Sequence, residues 1–133
     1  MNAKYADIAV HEQRADAYRC EDADVLVVAC NTPARMAKGA VEAARERGIK
    51  AGLFRPITVW PFPVRALTRL LGHAGQIVVV EASAGQLEDE LRLALSHAKV
   101  VPPPIAAVHR MGGILPQESE ILAVIEETQG ALT

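Results

Sequence analysis

Cysteine is scarce here: Cys20 and Cys30 are the only two in 133 residues. A pair cannot by itself complete a four-ligand zinc site or hold an iron–sulfur cluster. It is also far too few for a secreted disulfide scaffold, so a reducing cytoplasm is the expected compartment. A surplus of one charge is lacking too. Lys plus Arg is 14 against 16 Asp plus Glu, a net of −2, which speaks against a nucleic-acid partner. No apolar run approaches the ~20 residues of a membrane span, and the N-terminus lacks a signal-peptide layout, so no membrane partner is expected. Aromatics make up 4% of the chain, leaving an aliphatic core as the only option.

Half of the residues are hydrophobic, and the length suits one domain that buries ~65–70% of its unfolded surface. The run Val25-Leu26-Val27-Val28-Ala29 is unbroken, β-branched and bounded by turn residues, the pattern of a strand covered on both faces. Ile77-Val78-Val79-Val80 repeats it, and Ala51–Phe54 and Ile105–Val108 are weaker versions. Helical spacing lies between them. Ala34, Ala37, Val41 and Ala44 follow Thr32-Pro33, with Thr32 as the expected N-cap and Gly48 as the stop. Val64, Leu67, Leu70 and Leu71 precede Gly72, and Leu87, Leu91, Ala94 and Leu95 lead to His97 and Lys99. Ile121, Leu122 and Ile125 form a last helix after Pro116, with Gly130 as its stop. A polar helix with a thin apolar stripe is expected over Tyr5–Tyr18. One helix followed by four β-α pairs argues an α/β fold, a three-layer α/β/α sandwich around a parallel sheet. Met1-Asn2-Ala3 reads as a cloning remnant, and residues 4–133 as a single domain excised from a longer protein.

In such a sheet, ligands meet the loops after the carboxyl ends of the strands. Asn31 and Thr32 at a helix start suit either capping or anion binding through free N–H groups, with capping the simpler reading. Cys30 reads as a small strand-end residue rather than a reactive thiol. Arg55 either offers a cation to a partner or packs against an acidic strand end. Glu81 is either a catalytic carboxylate or, as the favoured reading, a structural one. In the latter case it is the partner of Arg55 or Arg110, or an acceptor for loop N–H donors. His109-Arg110-Met111-Gly112-Gly113 is the least ordinary stretch: Gly112 and Gly113 permit close backbone approach, and Arg110 could hold phosphate or carboxylate. A tight turn with Met111 filling an apolar gap explains the same residues equally well.

The missing motifs narrow the chemistry further. There is no G-x-G-x-x-G after a strand, no phosphate-binding P-loop, no H-E-x-x-H and no C-x-x-C. Ser83 lacks the flanking glycines of a nucleophile elbow, and His11, His73, His97 and His109 have no metal-ligand spacing. No self-contained catalytic constellation or metal site is legible.

Three strings converge on a family. They are Ala23–Ala29 with Ala34–Lys38, the long string Gly48–Pro63, and Val78–Glu81 with Gly85–Arg92 and Arg110–Gly113. Together they resemble the C-terminal domain of the alpha subunit of 2-oxoacid:ferredoxin oxidoreductases, the 2-oxoglutarate, 2-oxoisovalerate and pyruvate group. The resemblance implies the transketolase C-terminal-domain fold, three layers with a mostly parallel central sheet of about five strands, where the pattern above shows four. It further implies a parent enzyme that decarboxylates a 2-oxoacid to acyl-CoA with electrons passing to ferredoxin. Thiamine diphosphate, Mg, iron–sulfur clusters and CoA are implied for that parent, and none for this domain. The remainder of the alpha subunit, a thiamine-binding beta subunit and, through the complex, ferredoxin are the implied partners. An excised domain would also expose apolar surface on which a homodimer could form. Relatives carry a Tyr-Gly-Ser type of turn where this chain has Cys30-Asn31-Thr32, so no ligand role is transferred there. The competing expectation is a free-standing α/β module that binds CoA or another phosphorylated ligand.

Overall fold

The computed structural model describes residues 15–56, 64–82, 86–109 and 116–132. Their elements run β1 (Ala15–Tyr18), β2 (Val25–Ala29), α1 (Asn31–Glu46), β3 (Ala51–Pro56), α2 (Val64–Leu71), β4 (Gln76–Glu81), α3 (Gln86–His97), β5 (Ile105–His109) and α4 (Glu118–Leu132). The strands make one sheet in the order β1-β3-β2-β4-β5. β3, β2, β4 and β5 are parallel, and β1 runs antiparallel along β3.

The alternation of side chains along a strand explains the layers. β2 and β4 are buried at every position. Val25, Val27 and Ala29 of β2, with Val78 and Val80 of β4, pack against Ala37, Val41 and Ala44 of α1 and against Ile121 and Ile125 of α4. Leu26, Val28, Ile77 and Val79 point the other way, onto Leu67 of α2 and Leu87, Leu91 and Leu95 of α3. Each large aliphatic side chain so buried contributes ~1.5–3 kcal/mol. Phe54 is the one aromatic among the largest fully buried side chains, so the core is aliphatic as the composition requires. The alanine face of α1 lets that helix lie close to the sheet.

The expected helix over Tyr5–Tyr18 is corrected at its end: Ala15–Tyr18 is a strand, and 5–14 lie outside the described residues. Ala15 packs on one core and Tyr18 on the other, the alternation of a strand rather than a helix. Arg19 takes a left-handed φ of 55°, which stops β1. β1 is thus the fifth, antiparallel edge strand that the four-strand pattern lacked. Gly52 makes room for the turn that follows: a Cβ there would lie 2.6 Å from the Arg19 carbonyl oxygen and 2.8 Å from the Cys20 Cα.

Three smaller expectations also change. Cys30, extended at φ −135° and ψ 165°, is the N-cap of α1 and makes no side-chain cap hydrogen bond, so Thr32 sits inside the first turn instead of capping it. Arg55 and Pro56 belong to β3 rather than to the loop after it, because they pair with Asp16 and Ala15 of β1. Helix α4 continues through Gly130 to Leu132. Among the described residues no helix is long and apolar enough to cross a membrane.

Two helices end in the same way. At α1, Gly48 N–H donates to Arg45 O and Ile49 N–H to Ala44 O, both at 3.0 Å, around a Gly48 φ of +83°. This is the Schellman stop that the position of Gly48 predicts. At α3, Lys99 N–H donates to Ser96 O at 3.0 Å and Val100 N–H to Leu95 O at 2.9 Å. Here a lysine holds the left-handed position, with φ 60°. Lys99→Gly is therefore expected to raise stability by about 1 kcal/mol in urea unfolding. An unchanged or lower midpoint would show that the left-handed backbone at Lys99 carries no strain.

Candidate functional site

The strand order reverses at β2: α1 leads from it to β3 on one side, and the chain then crosses through α2 to β4 on the other. The carboxyl ends of β2 and β4 lie side by side, with Ala29 paired to Val80. Cys30 and Glu81 follow those two residues, at the point where open α/β sheets bind ligands.

Glu81 is buried, at 5% exposure. Its Oε1 accepts from Leu87 N–H at 2.8 Å and its Oε2 from Glu88 N–H at 3.1 Å. Both amides belong to the first turn of α3, where N–H groups have no intrahelical partner and the helix dipole favours an anion. Of the readings open for Glu81, the structure supports the acceptor of N–H donors. Arg55 is not its partner, because Arg55 Nη2 lies 2.7 Å from Asp16 Oδ2 across the β1–β3 ladder. Cys30 is half-buried. Burial first, and the negative charge of Glu81 second, push its thiol above the ordinary cysteine range, which opposes a thiolate nucleophile. Thr32 is exposed. For Asn31 the structure describes only the backbone, the first residue of α1. Arg110, Gly112 and Gly113 lie outside the described residues.

Arg55 belongs instead to a cleft of about 570 Å³ beside the β1 edge, with Asp16, Tyr18, Arg35, Lys38 and Leu53 also in its lining. Strand alternation puts Asp16 and Tyr18 of β1 on the same face as Leu53 and Arg55 of β3. One-turn spacing brings Arg35 and Lys38 of α1 to the other wall. The Tyr18 hydroxyl donates to Glu42. The Lys38 ammonium and the Arg19 guanidinium stand 4.9 and 5.6 Å from the Tyr18 ring centroid. Sequence reasoning missed this cleft because it read residues 15–18 as helix. Alternation of Asp16 with Tyr18 was the available signal.

Arg45 was missed as well. From the last turn of α1 its Nε donates to Ala51 O at 2.8 Å, and its Nη2 donates to Arg19 O and Asp22 Oδ1, each at 2.7 Å. The hydrogen bond from Arg45 holds the Asp22 carboxyl below its ordinary value. Beside it, burial pushes the Cys20 thiol up to about 11, and Cys20 Sγ donates to Leu53 O at 3.1 Å. Among the described residues no three His, Cys, Asp or Glu side chains come together as metal ligands.

Residues 23–121 match the family model for the pyruvate:ferredoxin oxidoreductase core domain II. The ketoisovalerate oxidoreductase subunit VorB of Methanothermobacter marburgensis is 38% identical over 130 residues, covering 98% of this chain and 36% of that subunit. The chain thus spans about a third of the length of such curated relatives. Among solved structures, 2-oxoglutarate:ferredoxin oxidoreductase from Magnetococcus marinus superposes on 86% of this chain, with TM-score 0.73 and 21% identity, and the match covers 19% of that chain. A split-gene transketolase gives a TM-score of 0.72 at 20% identity over 86% of this chain and 40% of its own. These two likenesses establish the fold, the transketolase-like arrangement that the resemblance implied.

Glu81→Ala leaves two amides at the start of α3 without their acceptor and is expected to cost about 2–3 kcal/mol in urea unfolding. A loss below ~0.5 kcal/mol would show that the carboxylate is dispensable there. Asp22 has a lowered carboxyl pKa when folded. Its contribution is therefore present above the unfolded value of about 4 and is lost as pH falls through the folded one. Melting curves between pH 2 and 6 should accordingly show a shallower acid limb for Asp22→Asn than for the wild type. Parallel limbs would dissociate Asp22 from acid stability.

Proposed function

The chain belongs to the pyruvate:ferredoxin oxidoreductase core domain II family, and on that premise we propose that it is an assembly domain of a 2-oxoacid:ferredoxin oxidoreductase alpha subunit. The parent enzyme oxidatively decarboxylates a 2-oxoacid to acyl-CoA and passes the electrons to ferredoxin in the cytoplasm. The observation that carries this reading is the match to a ketoisovalerate oxidoreductase subunit over 98% of the chain and only 36% of that subunit. The domain packs against the remainder of the alpha subunit and against a thiamine-binding beta subunit, and ferredoxin meets the complex elsewhere.

The chemistry of the described residues supports a supporting role. At the carboxyl edge, the Glu81 carboxylate accepts hydrogen bonds from the start of α3, and the Cys30 thiol is biased against ionisation. Thiamine diphosphate with its Mg and the iron–sulfur clusters belong to the parent reaction, and among the described residues the thiol donors do not fit a cluster. Cluster iron takes thiolates, whereas Cys20 is held as a buried thiol that donates to a backbone carbonyl. No step of the reaction is therefore assigned to a described residue.

The test is turnover. The purified chain receives 2-oxoglutarate, 2-oxoisovalerate or pyruvate with CoA, thiamine diphosphate and Mg²⁺, and methyl viologen serves as the electron acceptor. Dye reduction at the blank rate is expected from the chain alone, and reduction well above it from the parent complex. Sustained 2-oxoacid-dependent reduction by the chain alone would overturn the proposal.

A further inference from the structure

The cleft beside β1 has a charge balance opposite to that of the whole chain. Among the described residues of its lining, three cations, Arg35, Lys38 and Arg55, face the carboxylate of Asp16, while the chain as a whole carries −2. Arg35 and Lys38 are exposed, and neither makes an ion pair with any described residue. By contrast, Arg19, Arg45 and Arg47, elsewhere on the same half of the molecule, each pair with a carboxylate. Between the cations, the lining is the Tyr18 ring and the buried side chain of Leu53. An apolar floor that includes Tyr18, within a cationic rim, matches the composition of a protein interface.

From this we infer that the cleft is a docking site for an acidic polypeptide segment from elsewhere in the parent assembly. Carboxylates of that segment lie against Arg35 and Lys38 on one wall and Arg55 on the other, and an apolar side chain of it rests on Tyr18 and Leu53. A phosphorylated small ligand fits less well. The cations here are long side chains on opposite walls, one wall a helix and the other a strand, which suits several carboxylates of one segment better than a single compact phosphate. Complementary charge of this kind steers association and fixes which surface is engaged. The inference rests on the assembly role proposed above and names the surface through which part of that assembly is made.

The test uses the assembly purified through a tag on this chain from the cells that make it. Carbodiimide joins a lysine amine to a carboxylate in direct contact. Lys38 is expected in a peptide joined to an Asp or Glu outside residues 1–133. The double variant Arg35→Glu with Lys38→Glu, purified without cross-linking, should co-purify with about tenfold less of the partner identified in that peptide. Its melting midpoint should stay unchanged, and Arg65→Glu, on the α2 side of the sheet, should behave as wild type. If the double variant melts early, Arg35→Gln with Lys38→Gln replaces it and should give a smaller loss in the same direction. Full recovery of the partner by a folded variant, or Lys38 joined only to Glu42, overturns the docking site and leaves the assembly role standing. A wild-type chain that purifies with no companion removes both. Saturable binding of inorganic pyrophosphate by the chain, lost in the double variant, would identify a small-anion site instead and likewise overturn the inference.

Discussion

The burial of two adjacent parallel strands on both of their faces sets the terms for the rest of the molecule. β2 and β4 have no solvent-exposed position, so helices must cover both sides of the sheet, and the connections must distribute them two to each face. That requirement brings the topology with it. The reversal of strand order between β2 and β4 follows, and so does the crevice where Cys30 and Glu81 stand. It also explains the carboxylate in the core. Glu81, the last residue of the buried strand β4, supplies the acceptor for the first amides of α3, which have no intrahelical partner.

How much of this was legible in the sequence depended on whether local pattern or distant contact decides each element. Val25–Ala29 and Ile77–Val80 carry enough β-branched apolar residues in a row to be read directly, and Gly48 marks a helix stop because glycine alone takes its φ of +83° cheaply. The three-layer sandwich follows from these. β1 was not legible as a strand. Four residues with two alanines hold little propensity, and their conformation is imposed by the free edge of β3 and by the missing side chain of Gly52. The loop reading of Arg55 failed for the same reason, since its strand partner had been read as helix.

The candidate site divides along the same line. Glu81 could be singled out as a carboxylate closing a buried strand, and the bonds to Leu87 and Glu88 support one of the readings that the sequence left open, the acceptor of N–H donors. Cys30 as a strand-end residue was equally accessible. Arg45 was not, because nothing about an arginine in a last helical turn announces that it will reach a carbonyl of β3, a carbonyl after β1 and the carboxylate of Asp22 at once. The grouping of Arg35 and Lys38 with Arg55 is likewise a product of tertiary structure: helix spacing supplies one wall and strand alternation the other.

The Arg45 contacts reach past the bonds they make. A side chain rooted in α1 grips the chain after β1 and the start of β3, so this edge of the sheet is tied to the C-terminal turn of a helix two elements away. β1 cannot peel from β3 as an independent flap without first releasing that grip. The edge strand and the helix end consequently form one cooperative opening unit, whose amides share a common free energy of exchange although some 25 residues of chain separate them.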